Sequence, residues 1–497
     1  MHIAYLSSEV VPYAKTGGLA DVAGALPHAI AELGHTVSVF TPYYRVARKV
    51  ELDAPKVAEG VLPVGSDMLP WTCHRSEQSG GAASVYLLGN EPFFDRDGLY
   101  GTPQGDYQDS IRRFIFFSRA AMAAAHELGK PVDVYHANDW QSALVPVYLR
   151  QSFTSHPFHG KAATLFTIHN QSYQGLFWHW DWPLLNLPWK HFNWKELEFY
   201  GKINLLKGGL LYSDVLNTVS PTYASEIQAP EQGCGLEGVL TDRAADLFGV
   251  VNGVDYQTWS PERDALIPAQ FSAENLYGKA HCRKALLEHF KLPTDRKGPV
   301  IGIVSRLIEQ KGFDLVPKVL EEIGRRNFQM VVLGTGTEKF TQPFLRMREV
   351  FPDKFGVALA YDNRLAHLIY AGSDLFLMPS KFEPCGLSQL YSLAYGTLPV
   401  VRKTGGLADT VADATPESIR EGMATGFVFE DYTDKALLAA LDRALTMFIE
   451  QPEVWREIQR AAMQQDWSWS RSAKDYTDLY ERARQKRKER LIKELTA

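Results

Sequence analysis

The amino-acid sequence predicts an α/β protein built from two doubly wound parallel sheets. Three observations carry that reading. The chain has 497 residues, too many for one ordinary core. Its opening residues read as strand, glycine turn, helix and strand. A second series of short apolar strands alternating with helices begins near Pro299.

HIAYLSSE at the start is a short apolar strand that runs into PYAKTGG, a turn with two glycines. LADVAGALPHAIAELG follows with helical periodicity, and TVSVFTP is the next strand, completing a β-loop-α-β unit. Pro27 lies inside the helical stretch and predicts a break or kink there, because proline lacks the N–H that a helix interior needs. Further strands are expected at ASVYLLG, PVDVYHAND, ATLFTIHN and DVLNTVS, with IRRFIFFSRAAMAAAHELG as a helix among them. In the second series PVIGIVSRL, FQMVVLGTG, KFGVALAY, SDLFLMPS and GTLPVVRK are strands. FDLVPKVLEEIGRR, RLAHLIYAG and LSQLYSLAYG are the helices between them. DYQTWSP, Asp255–Pro261, reads as a linker, and the tail beyond Trp467 is helical with no partner fixed by its pattern.

Composition narrows the function classes. With 45% hydrophobic and 22% charged residues the chain is globular, and a net charge of -6 supplies no general attraction to nucleic acid or anionic membrane. ERARQKRKERLIKEL is locally basic but carries interleaved Glu, so it reads as a solvated helix end and not as a polyanion-binding tail. Cys73, Cys234, Cys282 and Cys385 are scattered without a C-x-x-C pair, which argues against a disulfide framework or zinc ribbon. No secretory signal and no run of about 18 apolar residues is seen, so a cytoplasmic location is expected.

The heptapeptide KTGGLAD occurs twice, at Lys15–Asp21 and Lys403–Asp409. Paired glycines opening a helix suggest backbone N–H groups and a helix dipole that favour an anion. Lys15 adds a point charge at the C-terminal edge of a parallel sheet, where ligands bind; alone, such a motif is a glycine turn with a solvated lysine. SRLIEQKG follows the first strand of the second series, and its Arg306 and Lys311 can converge on one diphosphate. SKFEPCGL presents Glu383 at a strand end, where a carboxylate can meet sugar hydroxyls or cationic character at an anomeric carbon. HANDW and TIHN also end strands: their histidines could be core hydrogen-bonders or substrate donors, Asp139 a sugar or acceptor contact, and Trp140 a packing residue. GTGTE, Gly334–Glu338, is a glycine turn that could approach a nucleotide. Five tryptophans fall within Gly175–Trp194; they are core residues or a flexible, sugar-facing aromatic cover.

KTGGLADV, NGVDYQTWSP, SRLIEQKGFDL, SKFEPCGL and LAYGTLPVVRKTGGLADTV stand in the order found in bacterial glycogen synthases and plant starch synthases. The chain resembles that family from Met1 to about Trp469. The resemblance implies a GT-B fold, two Rossmann-like domains facing a cleft: 1–255 on the acceptor side, 256–466 binding the nucleotide sugar, and 467–497 a helix crossing back to the first domain. It implies transfer of glucose from ADP-glucose to glycogen or a malto-oligosaccharide, with retention and without metal or other cofactor. Nucleic acid and membrane are not among the implied partners. Glu383, His169, Lys15, Arg306 and Lys311 would carry the chemistry. Gly17, Gly18, Asp139, Asn252, Tyr361, Cys385, Gly386, Leu387, Thr404, Gly405 and Gly406 would bind substrate, with Tyr361 stacking on the base. Asn138 stands where the family often has His, and no chemical role is assigned to it. DRD at Asp95–Asp97 resembles the metal-holding D-x-D of other glycosyltransferases but lies in a turn-rich loop, so metal binding is not expected there. A donor other than ADP-glucose, a silent glucan-binding protein and a phosphorylase are the competing readings; intact Lys15, Arg306, Lys311 and Glu383 argue against the silent one.

Overall fold

The computed structural model of the protein describes residues 1–78 and 81–496. The chain divides into two compact units, Met1–Gly253 with the returning C-terminal segment from Trp469, and Val254–Ser468.

The first unit is built on a nine-stranded sheet. From one edge its strands are Leu247–Gly249, Val215–Thr218, Ala163–Ile168, Val134–Asn138, His2–Leu6, Thr36–Pro42, Ser84–Gly89, Asp67–Arg75 and Lys56–Val64. The first seven run parallel; the last two close the edge as an antiparallel hairpin. His2–Leu6 and Val134–Asn138 are neighbours, yet the chain leaves them toward opposite edges, so strand order reverses between them. The helix Gly18–Glu32 continues unbroken across Pro27, so of the expected break or kink the break is absent. Its apolar face, Val22, Ala23, Leu26 and Ile30, is buried in the core beside the sheet, and that burial outweighs the one hydrogen bond proline forfeits.

The second unit has a six-stranded, wholly parallel sheet in the order Phe355–Ala358, Gln329–Leu333, Val300–Val304, Leu375–Met378, Leu398–Arg402 and Phe427–Phe429. Its central strands are buried on both faces, which explains why they read as unbroken apolar runs. Here the order reverses between Val300–Val304 and Leu375–Met378. In the linker, Trp259 stacks between His367 and Tyr391, with ring centroids 3.9 and 4.0 Å away.

The C-terminal helix Trp469–Thr496 packs on the first unit, against the helix Gly18–Glu32 and the strand Ala163–Ile168. Ala473, Tyr476, Tyr480 and Ala483 recur at spacings of three and four on its buried face. The Tyr480 hydroxyl lies 2.8 Å from His136 Nδ1, so His136 is a core hydrogen-bonder. Beyond that apolar stripe the contacts turn ionic. Buried Asp214 accepts from Arg150 (2.6 Å) and from both the amide and the hydroxyl of Thr164, and Arg490 of the helix lies 3.4 Å from its other oxygen. Lys486 pairs with Asp246. Among the described residues no helix is long and apolar enough to cross a membrane.

Removing Asp214 would strand Arg150, a guanidinium whose side chain is only 7% exposed. Asp214→Ala is therefore expected to destabilise the first unit by about 3–5 kcal/mol, read as a lowered midpoint in denaturant unfolding.

Candidate functional site

Ligands bind to parallel sheets beyond the carboxyl ends of the strands, at the point where strand order reverses, because the loops there diverge and leave a crevice. In each unit most of the residues singled out in the sequence cluster at that point.

In the first unit the loop after His2–Leu6 carries Glu9 and Lys15. Glu9 is buried, and its carboxylate accepts from the amide of Thr16 (2.5 Å), its hydroxyl (2.6 Å), the amide of Gly17 (3.2 Å) and the hydroxyl of Tyr100 (2.7 Å). The expected open anion nest is thus partly filled from within: buried backbone donors must find partners, and Glu9 supplies one. Gly17 and Gly18 open the helix at the exposed tip. Lys15, on the same loop, reaches Asp21 at 2.6 Å. Burial pushes the Asp21 carboxyl up while Lys15 pulls it back.

Across the reversal lies Asp139, buried and with left-handed backbone at φ 54°. An Asp tolerates that region better than most residues, at a cost of about 1 kcal/mol. Its carboxylate accepts from the amide of His169 at 2.7 Å. Burial raises the Asp139 carboxyl to about 7, against the backbone hydrogen bonds that favour its charge. Burial also drives the His169 imidazole down to about 3, so this ring is neutral. Its Nε2 donates to Asn138 Oδ1 at 2.9 Å, which assigns the tautomer, since an amide oxygen can only accept. Asn138 also donates to the carbonyl of Leu6. Asn138, given no chemical role from the sequence, thus bridges the Leu6 carbonyl and the His169 ring.

In the second unit, the loop Ser305–Gly312 follows Val300–Val304 and the loop from Pro379 follows Leu375–Met378. Lys311 Nζ donates to Glu383 Oε2 at 2.6 Å, and the Ser380 hydroxyl donates to the same oxygen at 3.1 Å. Glu383 is 5% exposed, so its charge is held out of water by one cation and one hydroxyl. Arg306, on the Lys311 loop, is exposed and makes no ion pair among the described residues. A cavity of about 20 Å³, room for one water, lies at the foot of the pair beside Ser305, Lys311, Ser380 and Ser388. The Arg306 loop is braced by Thr335 of the GTGTE turn, whose carbonyl accepts from the Leu307 amide at 2.7 Å.

The second KTGGLAD copy clamps this carboxylate loop. Gly406 donates its amide to the carbonyls of Glu383 and Pro384 at 3.1 and 3.2 Å. Gly405 sits at φ 43° with the Glu383 carbonyl where a Cβ would be, and Gly312, at φ 77°, abuts the Pro379 carbonyl in the same way. Here too the expected free amide is engaged, by carbonyls instead of an anion. Thr404 and Cys385 are buried, Gly386 has φ 74°, and Leu387 caps the helix Ser388–Ala394.

Two of the expected residues stand apart from these clusters. Tyr361 is 81% exposed before the helix Asn363–Gly372, an open ring face on the second unit. Asn252 is buried at the end of the first unit's leading segment. Asp95 and Asp97 both accept from Arg45, at 2.7 and 2.6 Å. Sequence reasoning missed Glu9, Tyr100, Asn138 and Ser380. Glu9 alone carried a signal, as a carboxylate directly after a switch-point strand.

Comparison with known proteins follows the same division. Residues 2–242 match the model of the starch synthase catalytic domain, and residues 286–462 that of glycosyl transferases group 1. The chain is 48% identical to a glycogen synthase of Koribacter versatilis over 98% of its length and 99% of the relative's. It is 42% identical to one from Thermotoga petrophila over 97% of its length and 99% of that protein's. The catalytic domain of starch synthase IV from Arabidopsis thaliana, solved with ADP and acarbose, aligns with a TM-score of 0.88 at 30% identity, covering 97% of this chain and 99% of that one.

The raised Asp139 carboxyl makes a pH prediction. Between about pH 4 and pH 7 the unfolded chain loses this proton while the folded chain keeps it, so stability falls as pH rises through that window. Relative to Asp139→Asn, the protein is expected to lose up to ~4 kcal/mol across it and nothing further above pH 7, measured by urea unfolding at stepped pH.

Proposed function

The chain belongs to the family of bacterial glycogen synthases and plant starch synthases, glucosyltransferases of the GT-B fold, and from that premise we propose that it transfers glucose from ADP-glucose to the non-reducing end of an α-1,4-glucan, with retention and release of ADP. The observation that carries this is the Lys311–Glu383 pair at the second unit's strand reversal, with exposed Arg306 on the same loop.

Breaking the bond between the anomeric carbon and the phosphate oxygen leaves negative charge on the diphosphate and positive character on the sugar. Arg306 and Lys311 offset the first, a task that a divalent ion performs in other transferases. Glu383 lies beside the cationic sugar and fixes the Lys311 ammonium. Neutral His169, held by Asn138 through its Nε2–H, accepts a hydrogen bond from a glucose hydroxyl at Nδ1, and its backbone carbonyl faces the developing charge. Lys15 exchanges Asp21 for donor phosphate, Asp139 orients the acceptor, and Tyr361 stacks on the base.

Retention through two displacements would need a carboxylate free to attack. Glu383 is committed to Lys311 and Ser380, and the Asp139 carboxylate is engaged by the His169 amide, so neither stands free to attack. The acceptor hydroxyl therefore attacks from the face that the phosphate leaves, and a phosphate oxygen takes its proton.

Incorporation of radiolabelled glucose into glycogen, supplied as ADP- or UDP-glucose in the presence of EDTA, tests the proposal. Metal-free incorporation with a preference for ADP-glucose is expected, and Glu383→Ala should lower kcat by about 10²–10³-fold or more. Absence of transfer from ADP-glucose would overturn the donor assignment; a trapped glucosyl ester on Glu383 would overturn front-face attack.

A further inference from the structure

Residues 254–289 open the second unit, ahead of every strand in its sheet, and end with the helix Tyr277–His289. Three of their side chains grip two helices that come much later in the chain, Asn363–Gly372 and Ser388–Ala394.

The first grip is aromatic. The Trp259 indole is sandwiched between His367 of the earlier helix and Tyr391 of the later one, with the ring planes within 11° and 8° of parallel. The second is a carboxylate. Buried Asp264 accepts on one oxygen from His367 Nδ1 (2.7 Å) and the Tyr395 hydroxyl (2.6 Å), and on the other from the Leu266 amide (2.8 Å). The third is a buried cation. Lys279 Nζ donates to the carbonyls of Ala371 (3.1 Å) and Tyr395 (2.8 Å), which end the same two helices, and to the Thr397 hydroxyl (2.8 Å). A cation suits that place, since the last carbonyls of a helix are unpaired and its dipole is negative there.

Polar groups are a costly way to join helices. Burial pushes the Lys279 ammonium down to about 7. Burial alone would push the Asp264 carboxyl up, but hydrogen bonds from His367 and Tyr395 outweigh it and hold that carboxyl below its usual range. Apolar side chains would join the helices without desolvating an ion. Apolar contact is non-directional, however, whereas a hydrogen bond fixes distance and angle.

Both gripped helices start at residues assigned to the donor. Tyr361 stands immediately before Asp362, the N-cap of Asn363–Gly372. Its ring makes no hydrogen bond or ring contact among the described residues, so the helix alone sets its place. Glu383 stands on the loop that leads into Ser388–Ala394, and Gln389 of that helix donates to the loop carbonyls of Cys385 (2.9 Å) and Gly386 (3.2 Å).

We infer that Trp259, Asp264 and Lys279 are positioning residues for the donor, holding the two helices in one mutual setting so that Tyr361 and Glu383 meet opposite ends of a single nucleotide sugar. The inference rests on the proposed places of Tyr361 at the base and Glu383 at the glucose. Base and glucose are tied together by a diphosphate of bounded length. Contacts to them from separate helices therefore add up only while the helices keep their spacing, and small misplacements are expensive.

Initial rates of the full chain at varied ADP-glucose and at varied glycogen test this. Trp259→Ala is expected to raise the KM for ADP-glucose about fivefold or more, with the KM for glycogen within about twofold. Trp259→Phe keeps a ring in the sandwich and should recover most of the loss. Asp264→Asn keeps the side-chain shape but gives up one acceptor, and the same split between donor and glycogen is expected of it. Thermal midpoints above the assay temperature confine the comparison to folded protein. Since Trp259 acts partly through Tyr361, Trp259→Ala/Tyr361→Ala should raise the donor KM by clearly less than the product of the two single effects. An unchanged donor KM in Trp259→Ala and Asp264→Asn overturns the inference. So does an equal rise for donor and glycogen, or single effects that simply multiply in the double variant. An unchanged donor KM in Tyr361→Ala alone sinks instead the base-stacking reading beneath it.

Discussion

The reversal of strand order in each parallel sheet is the constraint on which the functional geometry depends. A parallel sheet is covered on both faces, so polar chemistry is confined to strand ends, and only at the reversal do adjacent loops diverge. In the second unit the loops after Val300–Val304 and Leu375–Met378 flank the resulting crevice, and Lys311 and Glu383 reach across it to each other. Neither charge is tolerable there alone: a carboxylate 5% exposed needs its cation. The requirement extends outward, because seating Glu383 needs its carbonyl received by Gly406 and the space that Gly405 leaves empty. One ion pair therefore dictates two glycines some 20 residues away.

The repeated KTGGLAD heptapeptide shows how much local identity decides. Both copies open a helix at a strand end, yet their amides meet different partners: the Glu9 carboxylate in one and backbone carbonyls in the other. The shared residues specify a backbone path close enough for a partner to approach. Which partner arrives is set by elements elsewhere in the chain, such as Tyr100, 91 residues from Glu9.

Legibility in the sequence follows from the same distinction. Central strands such as Gln329–Leu333 are buried on both faces and announce themselves as apolar runs, and the switch-point residues could be placed from strand ends and glycine turns. The edge hairpin Lys56–Arg75 escaped notice because its residues alternate between exposed and buried, with Pro63 and Pro70 interrupting the pattern. Leu247–Gly249 and Phe427–Phe429 are too short to carry periodicity. Pro27 misled because helix propensity is local while the burial that holds the helix is not. At the site, Asn138 and Ser380 were illegible for the reason Tyr100 was: their role is a hydrogen bond to a residue fixed only by the fold.

The two units also differ electrically, and the difference is suited to the two halves of a glycosyl transfer. The second unit presents formal charge, with Arg306 exposed and Lys311 balanced by Glu383, as the proposed role at a departing diphosphate requires. Around the Glu9 carboxylate, whose charge four donors already satisfy, the first unit's centre is polar but nearly neutral: burial holds His169 uncharged and pushes Asp139 toward protonation. Hydroxyl groups of a sugar are neutral on both sides of the reaction, and neutral partners hold them without the desolvation cost of an unpaired ion. Lys15 is the exception, and its partner Asp21 is itself partly desolvated, so a phosphate with more charge and more exposed oxygens can compete for that ammonium. Under the proposed transfer, formal charge thus lies where the diphosphate departs, and neutral partners lie where the sugar hydroxyls bind.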